Sequence, residues 1–141
     1  NEIIDEGLEP MPGLHDLIKS LKSNGIKIAV ASSSIRNDIE KVLRMIDLTG
    51  VFDAVVSGAE VEHSKPAPDV FLKAAAELGV QTSACAVLED AESGIKAGKA
   101  AGMTVIAIPS QFTVDNDFSQ ADYVFKSLAE LDSNKIQNLV K

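Results

Sequence analysis

The sequence is poor in several things that would each announce a class of protein. A single cysteine, Cys85, rules out an internal disulfide and fits a reducing compartment. Basic residues are the minority, 13 Lys and Arg against 21 Asp and Glu, giving a net charge of −8. They are scattered along the chain, which argues against nucleic acid and against anionic membranes as partners. No apolar run is long enough to span a bilayer, and the opening "NEIIDEGLEP" lacks the basic-then-apolar pattern of a secretory signal. A cytoplasmic location is the expectation. There is no internal repeat, low-complexity tract or linker. At 141 residues with 45% hydrophobic composition, the chain has the material for one domain with a real core.

What remains is an alternation of two textures. Leu14, Leu17, Ile18 and Leu21 recur at helical spacing and are stopped by Asn24-Gly25. "IKIAVA" follows as a short strand. Ile39, Val42, Leu43 and Ile46 are helical again, and "FDAVVSG" is the next strand. Pro68 and Asp69 form the first turn of a helix that carries Val70, Ala74 and Leu78 on one face. "ACAVLED" predicts a buried strand, residues 92–101 a helix, and "MTVIAIP" another buried strand. A last strand near residues 123–125 precedes a terminal helix from about Leu128. Phe71 and Met103 are expected in the core. Wholly apolar strands separated by helices predict a parallel sheet covered on both faces by right-handed crossovers, the doubly wound, Rossmann-like α/β class.

In such a sheet, ligands bind beyond the carboxyl ends of the strands, so the residues that follow each apolar run share one edge. After "IAVA" come Ser32, Ser33 and Ser34; after "FDAVVSG" comes the loop "SKPAPD" with Lys65; after "CAVL" come Glu89 and Asp90. Hydroxyls and free N–H groups at a helix start suit a phosphate, and a lysine adds a point charge for the same anion. Adjacent carboxylates suit Mg2+, a hard ion that prefers oxygen and keeps several waters. Each piece has a plainer meaning, as a serine N-cap, a solvated lysine, or acidic residues at a helix start. Their conjunction at successive strand ends points to a metal-assisted phosphate site.

"VASSS", "SKPAPDVF" and "AVLEDAESGIKAGKAAGM" resemble the second, third and fourth signature motifs of the haloacid dehalogenase-like hydrolases, in the subgroup of β-phosphoglucomutase and small-molecule phosphatases. The resemblance runs from "PMPG" at Pro10 to the end. It implies that Ser32 binds the transferring phosphoryl group by hydroxyl and backbone, that Ser33 adds a backbone donor, and that Lys65 neutralises charge on the phosphate and on an attacking carboxylate. Asp90, with Glu89 beside it, would ligate Mg2+. The implied substrate is a small phosphorylated metabolite.

The family's opening motif, a strand ending in Asp-x-Asp whose first aspartate attacks phosphorus, has no counterpart before Ser32. The chain therefore reads as one partial core domain, 1–141, with residues 1–12 a remnant of the connection from an inserted cap to the core. Loss of the nucleophile strand is expected to leave a gap between "IKIAVA" and "CAVLED", completed by a segment outside these residues or by another copy. Asp115-x-Asp117 in "FTVDNDF" lies in a loop-like stretch, and Asp5 follows only two apolar residues; both are weak substitutes. Gly94, Gly98 and Gly102, four apart, are expected to let their helix approach the sheet. His15 and His63 read as solvated. Arg36 and Asn37, just after the serines, read as an ordinary helix start or as substrate contacts.

Overall fold

The computed structural model describes residues 2–4 (as backbone), 13–110 and 113–140. In chain order the elements are β1 (Glu2–Ile4), α1 (Leu14–Ser23), β2 (Ile28–Ser32), α2 (Arg36–Met45), β3 (Ala54–Ser57), α3 (Asp69–Leu78), β4 (Ala86–Glu89), α4 (Glu92–Ala100), β5 (Thr104–Ala107), β6 (Tyr123–Val124) and α5 (Ser133–Leu139). The six strands form one sheet of order β3-β2-β1-β4-β5-β6. Every described pairing is parallel. The expected doubly wound α/β class is the one observed.

Strand periodicity divides the core in two. Ala29 and Ala31 of β2, Val87 of β4, and Val105 and Ala107 of β5 turn toward α3 and α4, where they pack with Val70, Phe71, Ala74 and Ile95. Their neighbours Ile28, Val30, Leu88, Ile106 and Ile108 turn the other way, onto Leu17 and Leu21 of α1 and Ile39 of α2. Phe71 and Met103 are both buried, as expected. Helix α1 ends where Asn24-Gly25 predicts, with Gly25 at φ 71°. Gly79, at φ 71°, closes α3 in the left-handed conformation that glycine adopts without strain. The Lys27 ammonium donates to the Leu78 carbonyl at 2.9 Å, at the negative end of the same helix.

Two expectations are corrected. The gap between β2 and β4 is absent, because β1 fills it: Ile4 lies in register with Val30 on one side and with Leu88 on the other. The physical reason is that two unpaired backbone edges inside a buried sheet would each leave N–H and C=O groups without partners. Three residues containing two β-branched isoleucines supply those partners. Asp5, the next residue, lies outside the described residues. The second correction concerns the terminus, where the single helix from Leu128 is two elements. A short 3-10 turn at Leu128–Glu130 is held by a capping box between Ser127 and Glu130. A new start at Asp132, whose carboxylate accepts from Lys135 N at 2.8 Å, begins α5.

Candidate functional site

The strand registers place the predicted polar residues on one edge. Ser32 ends β2 and Glu89 ends β4, the two strands that flank β1, and Ser57 stands opposite Ser32 on β3. With strands about 4.8 Å apart, the ends of β2 and β4 lie about 10 Å from each other, a span that suits a small anion with its ligands.

The serine loop is held from both sides. Ser32 is buried, and its Oγ accepts from Ser34 N at 3.1 Å, a side-chain turn that starts the loop. Ser57 Oγ, also buried, donates to the Ser34 carbonyl at 2.6 Å and accepts from Ala59 N at 3.1 Å. Gly58 completes the fit, since a Cβ there would stand 2.9 Å from Ser33 Cα, inside contact distance. Ser33 itself is exposed at the mouth of the edge. Ser57 and Gly58 were missed by sequence reasoning, although the Ser-Gly pair ending an apolar run was the available signal.

Lys65, Glu89 and Asp90 meet directly. Lys65 Nζ donates to Glu89 Oε2 at 3.3 Å, with side chains only 7% and 3% exposed, so this is a buried ion pair. The ammonium also stands 5.1 Å from the ring centroid of Phe71, a cation–π contact in a site shielded from water. The other oxygen of Glu89 accepts from the backbone N–H groups of Asp90 (3.1 Å) and Ala91 (3.2 Å). Glu89 is thereby fixed at both oxygens. Asp90 is less well compensated. Burial, first, and the negative charge of Glu89, second, push its carboxyl up to about 7, against smaller opposing pulls from a backbone N–H and from Lys65.

A buried carboxyl made hard to ionise by its neighbour is a place where a cation would be welcome, so the donor set fits Mg2+. Among the described residues, however, no three or more His, Cys, Asp or Glu side chains converge. A magnesium ion here would rest on Asp90 and Glu89, with water and phosphate oxygens completing its shell.

The remaining predicted residues fall outside this group. Arg36 makes a bidentate pair with Glu60, Nε at 2.9 Å and Nη2 at 2.8 Å, and Nη2 also donates to the Val55 carbonyl at 2.9 Å. It ties the start of α2 to the β3 end, which is the structural role. His15 and His63 are both exposed, as expected, and each ring also has a protein neighbour: His15 Nε2 lies 2.7 Å from the Ile46 carbonyl, and His63 Nδ1 lies 3.4 Å from Asp69 Oδ2. Asp115 is exposed, and Asp117 accepts from Ser119 N at 2.9 Å as a loop turn does. Asn116 between them was missed as a site residue. Its Oδ1 accepts from Glu92 N at 2.8 Å while Glu92 Oε1 accepts from Asp117 N at 3.1 Å, so this loop caps the helix that begins beside Asp90. Of the three glycines in α4 and its exit, Gly94 and Gly98 do permit close approach. Gly102 does not: a Cβ there would meet only Thr82 Oγ1, at 3.7 Å, and its φ of 80° marks it as a helix-ending turn.

Comparison with known proteins fits this geometry. The model of the haloacid dehalogenase-like hydrolases matches residues 1–108. The chain belongs to that family. It is 33% identical over 142 residues to the protein CbbY of Rhodobacter capsulatus, covering 98% of this chain and 63% of that one. Hexitol phosphatase B of Escherichia coli K12 is 38% identical over 130 residues, covering 92% of this chain and 59% of the relative. The β-phosphoglucomutase of Bacillus subtilis is 43% identical over 98 residues, 70% of this chain and 42% of the mutase. Among solved structures, CbbY from Rhodobacter sphaeroides in complex with phosphate superposes with a TM-score of 0.82 at 35% identity, over 86% of this chain and 55% of that one. The chain thus spans less than two thirds of the length of these relatives.

Proposed function

We propose that this haloacid dehalogenase-like domain is the phosphate-handling part of a Mg2+-dependent phosphatase of small phosphate esters, sugar phosphates first among them. The observation that carries the reading is the buried Lys65–Glu89–Asp90 group at the end of β4, on the same sheet edge as the Ser32 loop. In this reading the Ser32 hydroxyl and the backbone of Ser32 and Ser33 hold the transferring phosphoryl group. Lys65, kept in place by Glu89 and Phe71, neutralises its charge. Asp90 and Glu89 are the residues that would hold Mg2+, which when bound supplies Lewis-acid polarisation of a phosphate oxygen. Phosphoryl transfer consists mainly of positioning and charge neutralisation, so these parts account for most of the chemistry short of the nucleophile. The similarity to a protein named as a hexitol phosphatase, and to a CbbY mutant solved in complex with xylulose-(1,5)bisphosphate, supports the substrate class.

The nucleophile is an aspartate carboxylate that takes the phosphoryl group as an aspartyl-phosphate and is then freed by water. We assign it to sequence outside this chain, on a strand that would take the central place β1 holds here. The chain by itself is then inactive. A mutase transferring the group between positions of one sugar is the second reading, favoured by the 43% identity to a β-phosphoglucomutase. A reducing cytoplasm, with neither nucleic acid nor membrane as partner, completes the proposal, and the buried thiol of Cys85 is consistent with it.

The test is release of phosphate from an aryl phosphate and from hexose and pentose phosphates, with and without Mg2+. The 141-residue chain is compared with a form extended by an Asp-x-Asp strand, each beside its Asp90→Asn variant. Release by the extended form alone, lost without Mg2+ and in Asp90→Asn, is the expected result. Release by the chain itself places a nucleophile within it, and Asp5→Asn and Asp115→Asn then identify which carboxylate acts. A folded extended form that releases nothing in Mg2+ overturns the enzyme reading.

A further inference from the structure

We infer that Gly94 is a positioning residue whose missing side chain is what allows the Glu89 carboxylate to fold back beneath α4 and hold Lys65. The inference rests on the phosphate-site reading for its functional meaning, but its geometry stands by itself. Gly94 is buried in the first turn of α4. A Cβ built on it would fall on the Cγ, the carboxyl carbon and Oε2 of Glu89, with no room for either atom set to coexist. Oε2 is the oxygen that receives the Lys65 ammonium. A methyl group at position 94 must therefore displace the whole carboxyl group, drawing Oε2 away from the Lys65 ammonium and the opposite oxygen away from the N–H groups of Asp90 and Ala91.

Gly98, one turn further along the same helix, supplies the control. A Cβ there would stand 2.6 Å from Val105 Cγ2 and 3.4 Å from Val87 Cγ2. It crowds the same sheet but meets only apolar side chains. Both glycines cost the helix intrinsic stability relative to alanine, so helix propensity alone would make either substitution favourable. The difference between them isolates the carboxylate.

The experiment is a double-mutant cycle on the chain, read as the shift in urea midpoint, together with amine acylation mapped by peptide mass at Lys65 against the exposed Lys41. Gly94→Ala is expected to lower the midpoint in the parent. In the Glu89→Ala background, where the methyl enters the space the carboxylate leaves, it is expected to be neutral or to raise the midpoint. Gly98→Ala is expected to shift both backgrounds equally. Lys65 labelling, slow in the parent, rises severalfold relative to Lys41 in Gly94→Ala and stays slow in Gly98→Ala. An equal midpoint loss for Gly94→Ala in both backgrounds, or unchanged Lys65 labelling in that variant, overturns the inference. Should Gly94→Ala alone fail to fold, a folded Gly94→Ala/Glu89→Ala double variant supports it and an unfolded one overturns it. Neither readout needs turnover, so failure of the phosphatase reading would show as absent phosphate release with this coupling intact.

Discussion

Lys65→Met removes the ammonium while keeping a flexible apolar stem against Phe71, and it is the substitution whose cost the structure defines best. Removing one member of a buried ion pair typically costs 3–5 kcal/mol, because the other charge is left without compensation. Here Glu89 is 3% exposed on its side chain, which argues for the full cost. Against it, one Glu89 oxygen keeps its two backbone donors, and the Lys65 contact at 3.3 Å is single rather than bidentate. The expected loss is therefore about 2–3 kcal/mol. With an unfolding entropy of about 2.1 cal/mol/K per residue over 141 residues, that loss is a fall in Tm of about 7–10 °C. Urea unfolding followed by circular dichroism gives the free energy directly. The decisive comparison is the Lys65→Met/Glu89→Gln double variant, which removes the stranded charge and should recover a large part of the loss. A single-variant loss below about 0.5 kcal/mol, or no recovery in the double, would mean that Glu89 reaches water and that the pair is an ordinary surface one.

Other perturbations test neighbouring parts of the same edge. Without metal, the folded protein holds the Asp90 proton up to about pH 7 whereas the unfolded chain releases it near 4, so the folded state binds more protons in that window and stability falls as pH rises through it. Asp90→Asn should flatten that fall, and an unchanged pH profile of the urea midpoint would refute the assignment. Mg2+ competes with the same proton, so its stabilising effect on the parent should be larger at pH 8 than at pH 5 and should vanish in Asp90→Asn; equal effects at both would place the ion elsewhere. Asn116→Ala removes the acceptor for Glu92 N and should cost about 1 kcal/mol, read from the urea midpoint, with no loss if water replaces it fully. Ser57→Ala strips a buried hydroxyl that bridges Ser34 and Ala59 and should cost about 1–2 kcal/mol; a neutral result would mean the serine loop is held by backbone packing alone.

Legibility followed range along the chain. The α/β class, the Ser32 loop, Lys65 and the Glu89-Asp90 pair were readable because each depends on local pattern: apolar runs of four or five residues, then polar residues at the strand ends. β1 was not readable, because three residues, Glu2–Ile4, carry no periodicity, and what recruits them is the need of β2 and β4 for backbone partners. Asn116 was hidden for a similar reason, since its target, Glu92 N, lies 24 residues away in sequence. The split at the terminus was nearer the surface of the text. Ser127 and Glu130 stand three apart in capping-box order, and Asp132 is a second cap before Lys135.

The two adjacent carboxylates show how strand geometry turns neighbours in sequence into groups with different work. Glu89 is the last residue of β4 and keeps the alternation of the strand, so it shares the face of Val87, toward α3 and α4. On that face it meets Lys65 from the loop before α3, whose ammonium partly offsets its charge, and the bare backbone of Gly94 from α4, which leaves it room. Asp90 follows where the strand has ended and α4 has not begun, and there burial and the charge of Glu89 outweigh the pull of Lys65 on it. It is left buried beside a like charge, and its carboxyl is raised for that reason. A shift of the strand end by one residue would exchange the two environments. The position of the β4 terminus, at its register pair Glu89–Ala107 with β5, is therefore what separates the carboxylate that also fixes the lysine from its neighbour while keeping both on the edge where a metal ion would be held.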